Sequence, residues 1–189
     1  ILRTPHLFER IDLATGSIFS AAAVGQIVTW YNQDDANPHI VIARADGLFL
    51  LVPGASAEDG WTLRNLTEEI PGAEAIIDGL VSMLPPSGLR LVAGLNADGE
   101  LVLYGQTEQT NPDGGQAWAY DNLYDSVVYP TNTPPPAFRQ YTGVANLVAY
   151  VTSWGGLNIA GIAGGGQIVV FLSLIHISEP TRLRRISYA

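Results

Sequence analysis

Residues 89–122 read LRLVAGLNADGELVLYGQTEQTNPDGGQAWAYDN, and the rest of the chain repeats most of this stretch. Leu89–Leu95 and Leu101–Tyr104 are apolar runs of strand length. Between them stands Asn96-Ala97-Asp98-Gly99. Asp-Gly between two hydrophobic runs is a strong hairpin signal, because glycine accepts a positive φ without a Cβ clash. The cluster Asn111-Pro112-Asp113-Gly114-Gly115 then marks a turn within a long outer loop, and Trp118–Asn122 follows as a further strand. The expected order is strand, tight turn, strand, loop, strand.

The same turn recurs on both sides. Arg44-Ala45-Asp46-Gly47 separates His39–Ala43 from Leu48–Val52, and Ala163-Gly164-Gly165-Gly166 separates Leu157–Ile162 from Gln167–Phe171. AGLNADGELVLY and AGIAGGGQIVVF align at an offset of 67, Gly94 to Gly161, and Asp46 lies 52 before Asp98. Upstream of each turn is a short apolar run: Val28 lies 18 residues before Asp46, Val81 lies 17 before Asp98, and Val148 lies 17 before Gly165. Downstream, Trp61-x3-Asn65-Leu66 matches Trp118-x3-Asn122-Leu123. Each unit therefore predicts four short strands in about 50 residues, the period of a propeller blade. A lone meander cannot bury both faces, so such units gain stability by stacking on their neighbours. A β-sandwich also spaces its strands at 8–12 residues, but it requires no repeat.

Residues 26–171 resemble, through LVAGLNADGELVLYGQ, W-x3-N-L and YVTSWGGLNIAG, the β-propeller repeats of large bacterial secreted or surface proteins, and more broadly those of lectin-type propellers. The resemblance implies an incomplete all-β, propeller-like array of four-stranded antiparallel blades, with an extracellular or cell-surface setting. The blades are expected at about 26–69, 77–124 and 144–172, the third truncated, with residues 1–25 ending a preceding blade or leading in. Pro-rich Tyr129–Arg139 reads as a stiff crossover that lengthens the second offset, and Ile70–Gly79 as a short helical turn. There is no sialidase-type S-x-D-x-G-x-T-W box, no Gly-His…Trp-Asp blade signature and no complete kelch pattern. The propeller families of known activity therefore gain no support, and architecture alone does not assign a function.

Residues 173–189, SLIHISEPTRLRRISYA, break the repeat where a fourth strand is due. They resemble the conceptual translation of a sequencing-adapter read-through, and are expected to be an artefact outside the fold. They carry three Arg and one Glu, so residues 1–172 hold six basic and seventeen acidic residues, net −11. Lys is absent throughout. Nucleic acid and anionic membranes both need a basic footprint, which speaks against either as a partner. No apolar run reaches the 18 residues of a membrane helix, and no charged n-region precedes an apolar stretch as in a signal peptide.

Catalytic chemistry has few candidates. With no Cys, disulfides, Cys-based metal sites and a Cys nucleophile are excluded. Outside residues 173–189 only His6 and His39 remain, too few for a His-based metal site. Asp34-Asp35-Ala36-Asn37 and Asn111-Pro112-Asp113-Gly114 lack the alternating acidic pattern of a calcium loop and read as turns. Carboxylates such as Glu58, Asp59, Glu68, Glu69, Asp121 and Asp125 fall in outer loops and repeat ends, where solvated charge is the ordinary state. Gly161–Gly166 lacks G-x-G-x-x-G spacing and leads into a strand. No catalytic residue, metal ligand or cofactor is assigned.

Aromatic side chains remain. Flat rings stack on sugar faces while Asn, Asp and Gln bind hydroxyls. Trp30, Tyr31, Tyr104, Trp154 and Asn158 are the expected ligand contacts, and Trp61 and Trp118 are expected to pack between blades. The expected function is a non-enzymatic binding or scaffold module of a larger protein, with a glycan or protein ligand and further blades of the same chain as partners. The alternative is a fragment of a propeller-fold hydrolase such as a glycosidase, its catalytic carboxylates lying partly elsewhere.

Overall fold

The computed structural model describes residues 23–31, 37–54, 60–112, 115–123, 144–153 and 155–172. The lead-in up to residue 22, the Pro-rich crossover, Trp154 and residues 173–189 lie outside them. The described chain is all-β, with eleven strands in three antiparallel sheets. Sheet 1 contains β1 (Ala23–Tyr31), β2 (Pro38–Arg44), β3 (Gly47–Pro53) and β4 (Trp61–Asn65), followed by the single helical turn α1 (Leu66–Glu69). Sheet 2 contains β5 (Asp78–Met83), β6 (Leu91–Leu95), β7 (Leu101–Thr110) and β8 (Gln116–Asn122). Sheet 3 contains β9 (Ala145–Val151), β10 (Leu157–Ile162) and β11 (Ile168–Leu172). Strands pair in chain order in every sheet, and the sheets are neither closed nor curled into a barrel. The first strands come together: β5 lies against β1 on one side and β9 on the other.

Sheet 2 explains why residues 89–104 are apolar at both parities. Successive strand residues point to opposite faces. Val92, Val102 and Tyr104 face sheet 1 and join Trp30, Val41, Leu48 and Leu50 in one core. Ala93, Leu95 and Leu101 face sheet 3 and join Leu147, Ile159 and Phe171 in a second. The opposite face of sheet 1 is also covered, for Phe49 and Leu51 are buried.

The Asp-Gly word is used in two ways. In sheet 1 Arg44 pairs with Gly47, leaving a two-residue loop. In sheet 2 the connection has five residues: Asn96 N–H donates to Glu100 O at 2.9 Å, and Asn96 Oδ1 accepts from Asp98 and Glu100 N–H. The glycine-rich connection of sheet 3 copies the second form, with Ala163 N–H donating to Gln167 O at 2.8 Å.

Each first strand also begins with a register shift. In sheet 2 Gly79 and Leu80 oppose Gly94; in sheet 3 Asn146 and Leu147 oppose Gly161. Gly79 and Asn146 both take the left-handed conformation (φ 67° and 54°) such bulges favour. A Cβ on Gly94 would lie 2.3 Å from Ile76 Cγ2 and 2.8 Å from Asp78 O, and one on Gly161 would lie 2.3 Å from Val144 Cγ1 and 3.1 Å from Ala145 O. The Gly94–Gly161 match thus has a steric cause.

The Asn-Leu ending of the fourth strands has a packing cause. Asn65 Oδ1 accepts the Thr67 N–H, starting α1, and Leu66 enters the first core. Leu123 packs against the second. The helical turn is therefore earlier than the Ile70–Gly79 expected from the sequence. Most of the long outer loop expected before Trp118 is strand, since β7 runs to Thr110, which pairs with Gln116, and Asn111 N–H donates to Gly115 O at 2.7 Å. Among the described residues no helix is long and apolar enough to cross a membrane.

Candidate functional site

Three residues form one row across sheet 2. Arg90 precedes β6, and its backbone exchanges two bonds with Gln106: Gln106 N–H donates to Arg90 O at 2.9 Å, and Arg90 N–H donates to Gln106 Oε1 at 2.7 Å. Gln106 in turn is paired with Trp118 in β8. Strand spacing of about 4.8 Å separates neighbours in such a row. Trp30 of sheet 1 meets both ends. The Arg90 guanidinium lies over its ring, Cζ 5.1 Å from the centroid, and the Trp118 ring centroid is 6.4 Å away at 49°. The His39 ring, cross-strand from Trp30, stands 5.9 Å away.

The charge pattern sets Arg90 apart. Among the described residues Arg44 is paired with Asp46 at 2.9 Å, and Arg64 with Glu69 at 3.0 Å. Arg90 has no carboxylate partner among them. It is half-buried, and loss of hydration holds its pKa below the usual arginine value. Its Nε and the Trp118 Nε1 are both buried without a hydrogen-bond acceptor among the described residues. A desolvated cation stacked on an indole gains cation–π energy, yet two buried N–H donors remain unsatisfied, which costs free energy. An arrangement that supplies cation, indole N–H and amide in one row is suited to binding a group rich in acceptor oxygens.

The predicted contacts scatter. Trp30 is in the cluster and buried. Tyr31 is the next residue on the strand, so it points to the opposite face, where it is 73 % exposed. Tyr104 is fully buried: its hydroxyl donates to Glu74 O at 2.5 Å and lies 3.0 Å from Thr67 Oγ1. Asn158 is buried in sheet 3, where its Nδ2 donates to Gly156 O at 3.1 Å and holds the Thr152–Gly156 turn. Trp118, expected to pack, does pack but keeps its unmatched N–H. Arg90 and Gln106 were not among the expected contacts.

A second polar network braces the segment between α1 and β5. Glu74 Oε2 accepts from Asn96 Nδ2 at 2.5 Å and from the Tyr120 hydroxyl at 3.1 Å. Glu100 Oε2 accepts from Asn122 Nδ2 at 2.8 Å and from Asn96 Nδ2 at 3.5 Å. Burial, together with the charge of Glu74, pushes the Tyr104 phenol up to about 12, although its contact with Thr67 acts the other way. Burial and then Glu74 push Tyr120 up as well. Among the described residues no three His, Cys, Asp or Glu side chains gather as metal ligands. No protein-family model matches the chain, and no curated protein matches it.

Proposed function

We propose that this chain is a propeller-type module of a larger protein, built from stacked blades, and that it binds a ligand without transforming it. The convergence of β1, β5 and β9 supports the propeller arrangement, in which first strands line a common axis. The ligand contacts the row Arg90–Gln106–Trp118 beside Trp30, and its chemical class is a carboxylate-bearing glycan. One observation carries this: Arg90 is a half-buried guanidinium on an indole with no carboxylate partner among the described residues, in a chain of net charge −9. A carboxylate matches the guanidinium fork, and Arg90, half-buried, is the member of the row that solvent can still reach.

Titration calorimetry with oligogalacturonate and with neutral oligogalactose tests the proposal. Oligogalacturonate is expected to bind, and Arg90→Gln to weaken it by about 10- to 100-fold, the range of one charge-assisted contact. Equal binding of both sugars, or no loss on Arg90→Gln, would remove Arg90 from the site. A hydrolase function draws on one observation, the two carboxylates Glu74 and Glu100 that share the Asn96 amide. Their oxygens already serve amide and phenol donors that brace the Asn96 turn, so bracing is the role supported best.

A further inference from the structure

Sheet 3 turns one face to sheet 2 and leaves the other open. The open face carries Val148, Tyr150, Ile162, Ile168 and Val170, all exposed. These are Val81, Met83, Leu95, Leu101 and Leu103 advanced by 67 residues, and those five line or pack against the core between sheets 2 and 3. The register advances with them. Ile162 pairs with Ile168 as Leu95 pairs with Leu101, and Ala160 pairs with Val148 and Val170 as Ala93 pairs with Val81 and Leu103. The bulge, its opposed glycine and the five-residue connection are shared too. Sheet 3 thus presents the same surface that sheet 2 buries, with Leu101 at 0 % exposure and Ile168 at 78 %. Contiguous exposed apolar surface of this kind marks an interaction site.

We infer that this face docks a fourth β-sheet of the same construction, supplied by the same polypeptide beyond sheet 3. Its contacting face carries the counterparts of Val144, Leu147, Ile159 and Phe171, the side chains that sheet 3 itself sets against sheet 2. Continuity with the existing interfaces names the source: sheet 2 is covered by the next sheet along the chain, and sheet 1 by sheet 2. The seventeen residues after Leu172 are too few, since sheet 2 alone spans 45, Asp78–Asn122. A head-to-tail second copy would have to offer the outer face of sheet 1, where Phe49 and Leu51 are already buried. The inference rests on the stacked-blade part of the proposed function and is independent of the ligand site.

The test inserts a second copy of residues 106–172 between Leu172 and Ser173, in phase because Leu172 stands 67 residues after Gly105. Ile168→Lys is then compared in the parent and extended chains, with Leu101→Lys in the parent as the reference. In the parent, Ile168→Lys is expected to leave Tm nearly unchanged, while Leu101→Lys lowers it by roughly 10 °C or prevents folding. In the extended chain Ile168→Lys should become as damaging as Leu101→Lys. A mild Ile168→Lys in a folded extended chain overturns the inference, as does a damaging one in the parent, where the face would then be covered already. If the extended chain does not fold, the parent alone decides. It should bind anilinonaphthalene sulfonate, and Val148→Lys/Ile168→Lys should abolish that binding. A dye-silent parent, or a closed dimer broken by Ile168→Lys, would overturn the inference, the latter by giving the face to a second copy. No ligand enters these measurements, so failure of the glycan proposal leaves their outcome unchanged.

Discussion

Between sheets 1 and 2 the buried side chains include Trp30, Tyr104 and Trp118, with Arg90 and Gln106 alongside. Between sheets 2 and 3 they are Met83, Ala93, Leu95, Leu101, Val144, Leu147, Ile159, Ala163 and Phe171. The backbone frame is the same at both places, down to the bulge and its opposed glycine. The side chains differ in kind. A core of side chains without N–H or O–H groups needs only shape and volume to hold two sheets together. Aromatic rings with N–H and O–H groups must also find partners, and in the first interface the Trp118 indole N–H and the Arg90 Nε have none among the described residues. A fold that holds its second interface together with apolar side chains that carry no N–H or O–H gains little from Arg90 and the Trp118 indole as structure. That contrast supports placing binding at the first interface and scaffolding at the second.

The largest expected effect probes what the interfaces share. Gly94→Val drives a side chain into Ile76 and the Asp78 carbonyl, and Gly161→Val does the same against Val144 and Ala145. Each should cost more than about 3 kcal/mol in chemical denaturation, because backbone as well as side chain must move. Similar losses at the two sites would show that the shared frame governs stability at both interfaces, and a much smaller loss at one would separate the interfaces mechanically.

Alkaline pH should sharpen the comparison, because Tyr104 is in the first core and, among the described residues, no titratable side chain is in the second. The Tyr104 phenol is raised from 10 to about 12 in the folded chain. Between those values the folded state retains a proton that the unfolded state loses, so stability falls as pH rises. The contribution is complete below pH 10 and gone above about 12. Thermal melts across this window should show the loss, and Tyr104→Phe should shrink it, leaving the part due to Tyr120, while costing about 1 kcal/mol at neutral pH. A melt that is flat between pH 10 and 12 would mean the phenol is not held as described.

The smallest effect is the most diagnostic. Arg90→Gln should change stability by no more than about 0.5 kcal/mol, or raise it, because it removes a desolvated charge that has no carboxylate partner among the described residues. A loss above about 2 kcal/mol would make Arg90 a structural residue, and the chemical difference between the interfaces would then carry no function.

Much of the frame could be read from residues. Gly94 and Gly161 stand out because the bulge admits no Cβ, and steric necessity leaves a mark on sequence. The two parities of LVAGL and LVLY, both apolar, mark a strand buried on both faces. The two uses of Asp-Gly were hidden, since a two-residue and a five-residue connection both accept that word. Tyr104 read as a ligand platform because ring composition says nothing about which face of a strand lies inward. Arg90 does not stand out in the sequence because an arginine flanking a strand usually reaches water. A signal was available: Arg44 has Asp46 two residues on and Arg64 has Glu69 five on, whereas no acid lies within seven residues of Arg90. The row that joins it to Gln106 and Trp118 depends on strand register, which local sequence does not state.

The stacking order also has a consequence during synthesis. Sheets 1 and 2 are each covered on one face by the sheet that follows, so that apolar surface stays bare until the ribosome has delivered the next unit. At 5–20 residues per second, the 67 residues separating equivalent positions of sheets 2 and 3 take roughly 3–13 s to emerge. Throughout that interval the nascent chain carries one uncovered apolar face, formed first by Ala93, Leu95 and Leu101 and then by Ala160, Ile162 and Ile168. The hazard does not accumulate as units are added; it moves along the chain with the growing end.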